Sequence, residues 1–247
     1  MRPRLPWALC ERNGCRSAEG FSRRPYFRMV HAMIRLFLVR HGITAWNARG
    51  MYQGQLDVPL SDQGREQARA LRDRLHPLKF DRCYTSGLAR ARETAAILLD
   101  DGTCPVHATT DLNEMSYGQW EGLTRPEIQA QISRDWGAFL ADREHQAPPA
   151  GESAVDLERR VRSFAGRLSQ HHTEGEASLL VVAHGGPLRT LIVHYLNLAN
   201  RDAHRLRIDN ASLSIVEVYE DDAIISLFDD TSHLSPLKSP PDRQPVH

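Results

Sequence analysis

The chain has 247 residues, 41% of them hydrophobic, which is enough for one sizeable core. Lys plus Arg and Asp plus Glu each number 31, so the formal net charge is zero. That balance argues against a nucleic-acid binder or a membrane-surface protein, and no apolar run approaches the roughly 18 residues of a membrane-spanning helix.

Residues 1–33 are rich in Arg, poor in acids and without periodic pattern. They lack the apolar stretch of a secretory signal. They read as a disordered extension or as a start assigned too far upstream, with Met29 and Met33 as later starts. An organelle transit peptide is the rival reading. Residues 34–39, IRLFLV, predict a strand buried on both faces. Ser61 is placed to cap a helix in which Ala68, Leu71 and Leu75 keep helical spacing. Residues 80–86 read as a short strand leading into a helix with an apolar stripe of Leu88, Ala91, Ala95 and Leu98. Residues 105–110 could add a strand, and 124–143 look helical, amphipathic and insertion-like. PPAGES, 148–153, is turn chemistry before a long helix over about 153–172. SLLVVA, 178–183, is a second buried strand, followed by a helix over 187–198 with Pro in its first turn. Two apolar runs around Asp221 and Asp222 read as a final hairpin. The Pro-rich residues 231–247 read as a disordered tail.

Strands alternating with helices predict an α/β fold, a three-layer α/β/α sandwich with a mostly parallel sheet and an antiparallel edge from the hairpin. Residues 34–230 form its one domain. The four cysteines, Cys10, Cys15, Cys83 and Cys104, show neither C-x-x-C pairing nor zinc-type spacing. They read as free thiols in a reducing, cytoplasmic setting.

Both buried strands stop abruptly, one at Arg40-His41-Gly42 and one at His184-Gly185-Gly186. Ligands of open α/β sheets bind beyond the carboxyl ends of strands. If the two strands are neighbours, His41, His184 and Arg40 share one pocket, and the glycines allow a sharp turn and close approach to a ligand. Arg90 lies near a helix start, where unsatisfied N–H groups favour anions. Arg92, two residues on, cannot face the same way. Two arginines and two histidines describe an anion site, because guanidinium forks match phosphate oxygens. Neutral imidazole can also attack phosphorus. Glu114 is the best proton donor for a leaving oxygen and Glu121 the runner-up. No third ligand falls at a metal-like spacing, so no metal and no cofactor are expected. The other histidines, His204 among them, carry no pattern and read as structural.

These residues resemble a family. R-H-G-x-T-x-W-N at 40–47 is similar to the signature of the histidine phosphatase superfamily, with the phosphoglycerate mutase-like fold. Y-Q-G at 52–54, D-x-P-L-S at 57–61, T-S-G-L-A-R-A-R-E-T-A at 85–95, E-x-x-x-G-x-W-E-G at 114–122, G-E-S at 151–153 and V-x-A-H-G-G at 181–186 follow in order. The resemblance implies that His41 is the nucleophile and that Arg40, Arg90 and His184 hold the phosphoryl oxygens. It implies Asn47, Gln53 and Gly185 as further phosphate or substrate contacts and Glu114 as proton donor. The implied partner is a small phosphomonoester, with a homodimer left open. Mutase members carry E-R-H-Y-G where this chain has Glu114-Met115-Ser116-Tyr117-Gly118, so the hydrolase branch, including α-ribazole and broad-specificity phosphatases, fits better. A bisphosphoglycerate-dependent mutase, a sugar-bisphosphate phosphatase and a non-catalytic binding module remain alternatives. Trp120, Trp136 and Phe139 lie in the segment expected to cover the site, where they would serve either helix packing or an apolar leaving group.

Overall fold

The run at 34–39 forms the centre of β1, Ala32–Arg40, in a computed structural model that describes residues 32–234 apart from 101, 103, 132 and 172–174. Successive side chains of a strand point to opposite faces. Leu36 and Leu38 therefore enter one core, with Leu179 and Val181 of β4, Gly175–Ala183. Phe37 and Val39 enter another, with Leu180 and Val182. Burial on both faces leaves no place for polar alternation, which is why the sequence there is continuously apolar.

Helices cover both faces. On the first lie α6, Ala154–His171, and α7, Gly185–Tyr195. Leu157, Val161, Phe164 and Leu168 of α6 recur at helical spacing and meet Leu188, Leu191 and Ile192 of α7. On the second lie α2, Asp62–Leu75, and α3, Ala89–Leu98, which contribute Leu71, Leu75, Ala91, Ala95 and Leu98. Each fully buried aliphatic side chain contributes about 1.5–3 kcal/mol. The fold is the expected three-layer α/β/α.

The sheet order is β3-β2-β4-β1-β5-β6, with β2 at Arg82–Ser86, β3 at Val106–Thr109, β5 at Leu213–Val218 and β6 at Ala223–Asp230. β1, β2, β3 and β4 are mutually parallel. The hairpin closes one side as expected, with one difference. β5, which pairs with β1, is the antiparallel strand, and β6 on the outer edge turns back to run with the others.

Local signals hold the boundaries. The Gly64 N–H donates to Ser61 Oγ at 3.1 Å and starts α2. Ser153 and Asp156 form a reciprocal cap that starts α6. The stretch 124–143 is two helices, α4 at Arg125–Gln131 and α5 at Ser133–Ala141. A short α1, Ala45–Ala48, had no periodic signal. Two domain limits move outward. Met33 is a buried residue of β1, and Thr231 and Leu234 are buried as well. Arg74 of α2 pairs with Asp230 and bonds Ser232, which pins this last turn where a Pro-rich tail was expected. The readings for residues 1–31 and 235–247 lie outside the described residues.

Candidate active site

Arg40 of β1 stands opposite Ala183 of β4, so His41 and His184 fall side by side beyond the same end of the sheet. The His41 N–H donates to Ala183 O at 3.0 Å and carries the ladder one step further. The imidazole centroids are 5.0 Å apart. A cavity of about 840 Å³ opens at this edge. Arg40, His41, Asn47, Gln53, Arg90, Glu114 and Gly185 all line it; His184 does not.

His41 is almost wholly buried, and its Nδ1 lies 2.7 Å from Gly42 O. That contact requires a proton on Nδ1, which leaves the lone pair on Nε2. Burial, reinforced by Arg40 and Arg90, holds its pKa well below 6.5. The imidazole is neutral and one nitrogen is nucleophilic.

His184 is placed differently from the expectation. Arg90 Nε–H donates to its Nδ1 at 3.2 Å, so Nε2 carries the proton and donates to Ser86 Oγ at 2.8 Å. Ser86 in turn donates to Asn113 Oδ1 at 2.8 Å. Burial and the neighbouring cations keep this ring neutral too. With both nitrogens engaged behind the cavity wall, His184 orients Arg90, and it can hold a phosphoryl oxygen only by releasing a partner.

Arg90 is 1% exposed, whereas Arg92 points to solvent. The Nη1 of Arg90 donates to Leu56 O and its Nη2 to Gly54 O, which fastens the 53–57 loop to the site. Burial lowers its pKa to about 10, so it stays cationic. Arg40 donates from Nη1 to Ile208 O at 2.6 Å, and its buried Nε has no partner. The Thr44 hydroxyl lies 3.0 Å from Gln53 Oε1, to which it donates, while Asn47 Oδ1 accepts the Thr44 N–H at 3.1 Å. Their amide nitrogens are left as the uncommitted donors.

The two carboxylate candidates separate. Glu114 lines the cavity, and its Oε1 accepts from the N–H groups of Met115 at 2.9 Å and Gly186 at 3.1 Å. Glu121 lies outside the lining and accepts from the N–H groups of Gln55 and Tyr117, both at 3.0 Å, so it ties loops together. Sequence reasoning missed the brace under Glu114. Arg160 on α6 donates to Asp111 O, Asn113 O and Glu114 O and pairs with Glu152 at 2.7 Å. Glu152 also accepts the Ser116 N–H.

Two of the glycines make room for protein groups. A Cβ on Gly42 would come 2.4 Å from Gly64 O, so this glycine lets α2 approach the strand end. A Cβ on Gly186 would come 2.2 Å from Glu114 Oε1, so this one makes room for the acid.

The segment over the mouth has its own small core of Trp120, Ile128 and Trp136. Tyr52 N–H donates to Leu123 O at 2.9 Å and joins it to the first loop. Trp120 is fully buried packing, while Trp136 and Phe139 also line the cavity. The opposite wall brings Arg189, Asn200, Arg201 and His204, none of them expected; His204 had been read as structural. Arg189 follows Gly185 by one helical turn, a spacing that could have flagged it, whereas the 3-10 turn Asn200–Arg205 has no periodic signal. Among the described residues, no group of three or more His, Cys, Asp and Glu is placed to hold a metal, and Cys83 and Cys104 are buried and not joined in a disulfide. Among the same residues, no helix is long and apolar enough to cross a membrane.

At the carboxyl edge of a three-layer α/β sheet the chain thus sets a neutral imidazole beside two guanidiniums. The chain belongs to the histidine phosphatase superfamily (branch 1), whose pattern matches residues 36–231. It is 34% identical over 187 residues to an adenosylcobalamin/alpha-ribazole phosphatase of Escherichia coli, covering 75% of this chain and 90% of that one. It is 37% identical over 163 residues to a 2,3-bisphosphoglycerate-dependent phosphoglycerate mutase of Brucella ovis, covering 64% and 79%. The alpha-ribazole phosphatase structure from Shigella flexneri superposes with a TM-score of 0.75 at 32% identity, covering 80% and 96%.

Proposed function

We propose that the protein is a cytoplasmic, metal-independent phosphomonoester hydrolase that works through a phosphohistidine on small phosphorylated metabolites. The observation that carries this reading is His41, neutral, with its Nε2 lone pair free and two guanidiniums on the same cavity wall. Nε2 attacks phosphorus while the bond to the leaving oxygen breaks, and Glu114 supplies that oxygen with a proton. Glu114, now a carboxylate, takes a proton from water, and the hydroxide displaces His41 from phosphorus. Arg40, Arg90 and the amides of Asn47 and Gln53 receive the equatorial oxygens, so charge is stabilised where it develops. The partner is a small molecule rather than nucleic acid or membrane.

A mutase must retain its intermediate and exclude water, which calls for added cations beside the acid. Here Met115 is buried in the main core and Ser116 bonds Glu152, so that position offers none. The similarity to mutases is therefore read as shared scaffold.

The test is a panel of phosphomonoesters in EDTA, with 3-phosphoglycerate plus bisphosphoglycerate in parallel. The reading expects phosphate release, acid-labile phosphate on the protein, and loss of both in a folded His41→Ala variant. Isomerisation without release, or full turnover by His41→Ala, would overturn it.

A further inference from the structure

The phosphoryl site occupies one end of a cavity of about 840 Å³, and the rest must take the alcohol half of the substrate. That remainder is not chemically neutral. Arg189 and Gly185 are four residues apart on α7, so they share a face, and helical side chains lean toward the N-terminus. Arg189 therefore folds back over Gly185 toward the catalytic edge. A Cβ added at Gly185 would lie 3.8 Å from Arg189 Nη2 and 3.9 Å from Arg40 Cζ, so the two guanidiniums bracket this one bare position. Like charges this close favour an anion between or beside them.

No protein anion answers Arg189. Among the described residues it makes neither a hydrogen bond nor an ion pair. Of the four carboxylates on the cavity wall, Glu114 is held by two backbone N–H groups, Asp202 pairs with Arg205, Asp142 pairs with His145, and Glu144 acts on that same His145. The neighbouring wall carries a complementary vacancy. Asn200 Nδ2–H donates to Ala154 O at 3.2 Å, which fixes the amide and leaves its buried Oδ1 without a donor. A forked cation and an unmet acceptor thus line one wall beyond the phosphoryl clamp.

We propose that Arg189 and Asn200 form a subsite for the leaving group, and that the substrate is a phosphomonoester whose alcohol carries a second oxyanion together with a hydroxyl or N–H group. Arg189 takes the oxyanion, a carboxylate or a second phosphoryl, and Asn200 Oδ1 accepts from the hydroxyl or N–H. The inference rests on the hydrolase reading for which group is transferred, but its test does not need turnover.

The experiment is calorimetric binding to the full-length His41→Ala protein. The probes are 3-phosphoglycerate, bisphosphoglycerate and glycerol 3-phosphate, which matches the first in size but lacks the carboxylate. One charge-assisted fork predicts that the two anionic-alcohol esters bind about ten- to a hundred-fold more tightly than glycerol 3-phosphate. Adding Arg189→Gln should bring all three probes to similar affinity, and Arg189→Lys should retain part of the preference, since charge survives and the fork does not. Equal affinities for the three probes, or a preference that survives Arg189→Gln, would overturn the proposal; should that variant fail to fold, undiminished preference in Arg189→Lys would do the same. Turnover of the same esters by the unmodified protein is read alongside. A preference in binding with no phosphate release anywhere would sink the hydrolase reading and leave this one standing.

Discussion

Gly186→Ala separates the placement of the acid from the stability of the fold. The new Cβ would sit 2.2 Å from Glu114 Oε1 and 3.3 Å from Leu157 Cδ2. A carbon–oxygen contact needs a little over 3 Å, so the carboxylate must withdraw by about 1 Å, and a misplacement of that size costs roughly a hundredfold in rate. The obstructing atom is the end of a flexible side chain, so the backbone need not move. The loss in stability is limited to the weakened bond from the Gly186 N–H, about 1 kcal/mol. Gly185→Ala is the control next door, because its Cβ meets nothing within 3.8 Å. The assay compares kcat/KM, which reports only the step that releases the alcohol, for p-nitrophenyl phosphate, whose leaving group needs no proton, and for an alkyl phosphate. Gly186→Ala should lower the alkyl rate about a hundredfold and the aryl rate far less, with the melting temperature nearly kept. Gly185→Ala should leave the aryl-to-alkyl ratio unchanged. An unchanged ratio in Gly186→Ala would refute the assignment of Glu114 as the proton donor that this glycine accommodates.

Arg160→Met should cost about 2–4 kcal/mol, because Glu152 is left largely buried and unpaired, and should lower kcat through the loosened Glu114 backbone. The double variant with Glu152→Leu should recover stability without recovering kcat; recovery of both in urea melts and kinetics would show that the brace is structural only. The histidines give stability a pH dependence. His41 and His184 have folded pKa values well below 6.5, so the unfolded chain binds protons first on acidification. Their contribution is complete above about pH 6.5 and is lost as pH falls toward the folded values, at up to about 1.4 kcal/mol per pH unit for each ring. Urea unfolding between pH 7.5 and 5 should show this slope reduced in His184→Asn, and an identical slope would mean that the ring is not neutral in the fold.

The central layers were legible because their physics is local. A strand buried on both faces must be continuously apolar, and α6 must repeat Leu157, Val161, Phe164 and Leu168 to cover it. The strand-end residues were legible because polar groups at the end of such a run are out of place. The choice of Glu114 over Glu121 followed from its place in the 114–122 stretch, but the reason for it was not readable. Glu121 is consumed by the loop around Gly54, whose Cβ would come 1.9 Å from it, and only three-dimensional contact shows that. His184 was expected beside His41, but its bonds to Arg90 and Ser86 were not readable, since those residues are 94 and 98 positions away. The wall at Asn200–Arg205 stayed hidden because a 3-10 turn that packs on α7 carries no repeating pattern. Met33 and Leu234 escaped the drawn domain because a single apolar residue at the end of a polar stretch gives no period to read.

Nucleophile and clamp follow from one electrostatic arrangement. Arg40 and Arg90 are taken out of water, and burial outweighs the nearby carboxylates, Glu114 first among them, as the leading cause of the lowered pKa of each. A phosphate dianion at the proposed site would offset that desolvation. The same two charges add to burial in keeping a proton off His41. The guanidinium is essential to this economy of charge. Arg90 falls to about 10 and remains fully cationic at neutral pH. A lysine starts lower, near 10.4, so a comparable burial would bring it closer to losing its proton and with it the charge that reinforces a neutral His41. Burial is the first reason that His41 is neutral, and Arg40 and Arg90 reinforce it because a guanidinium keeps its charge where a buried amine would lose it.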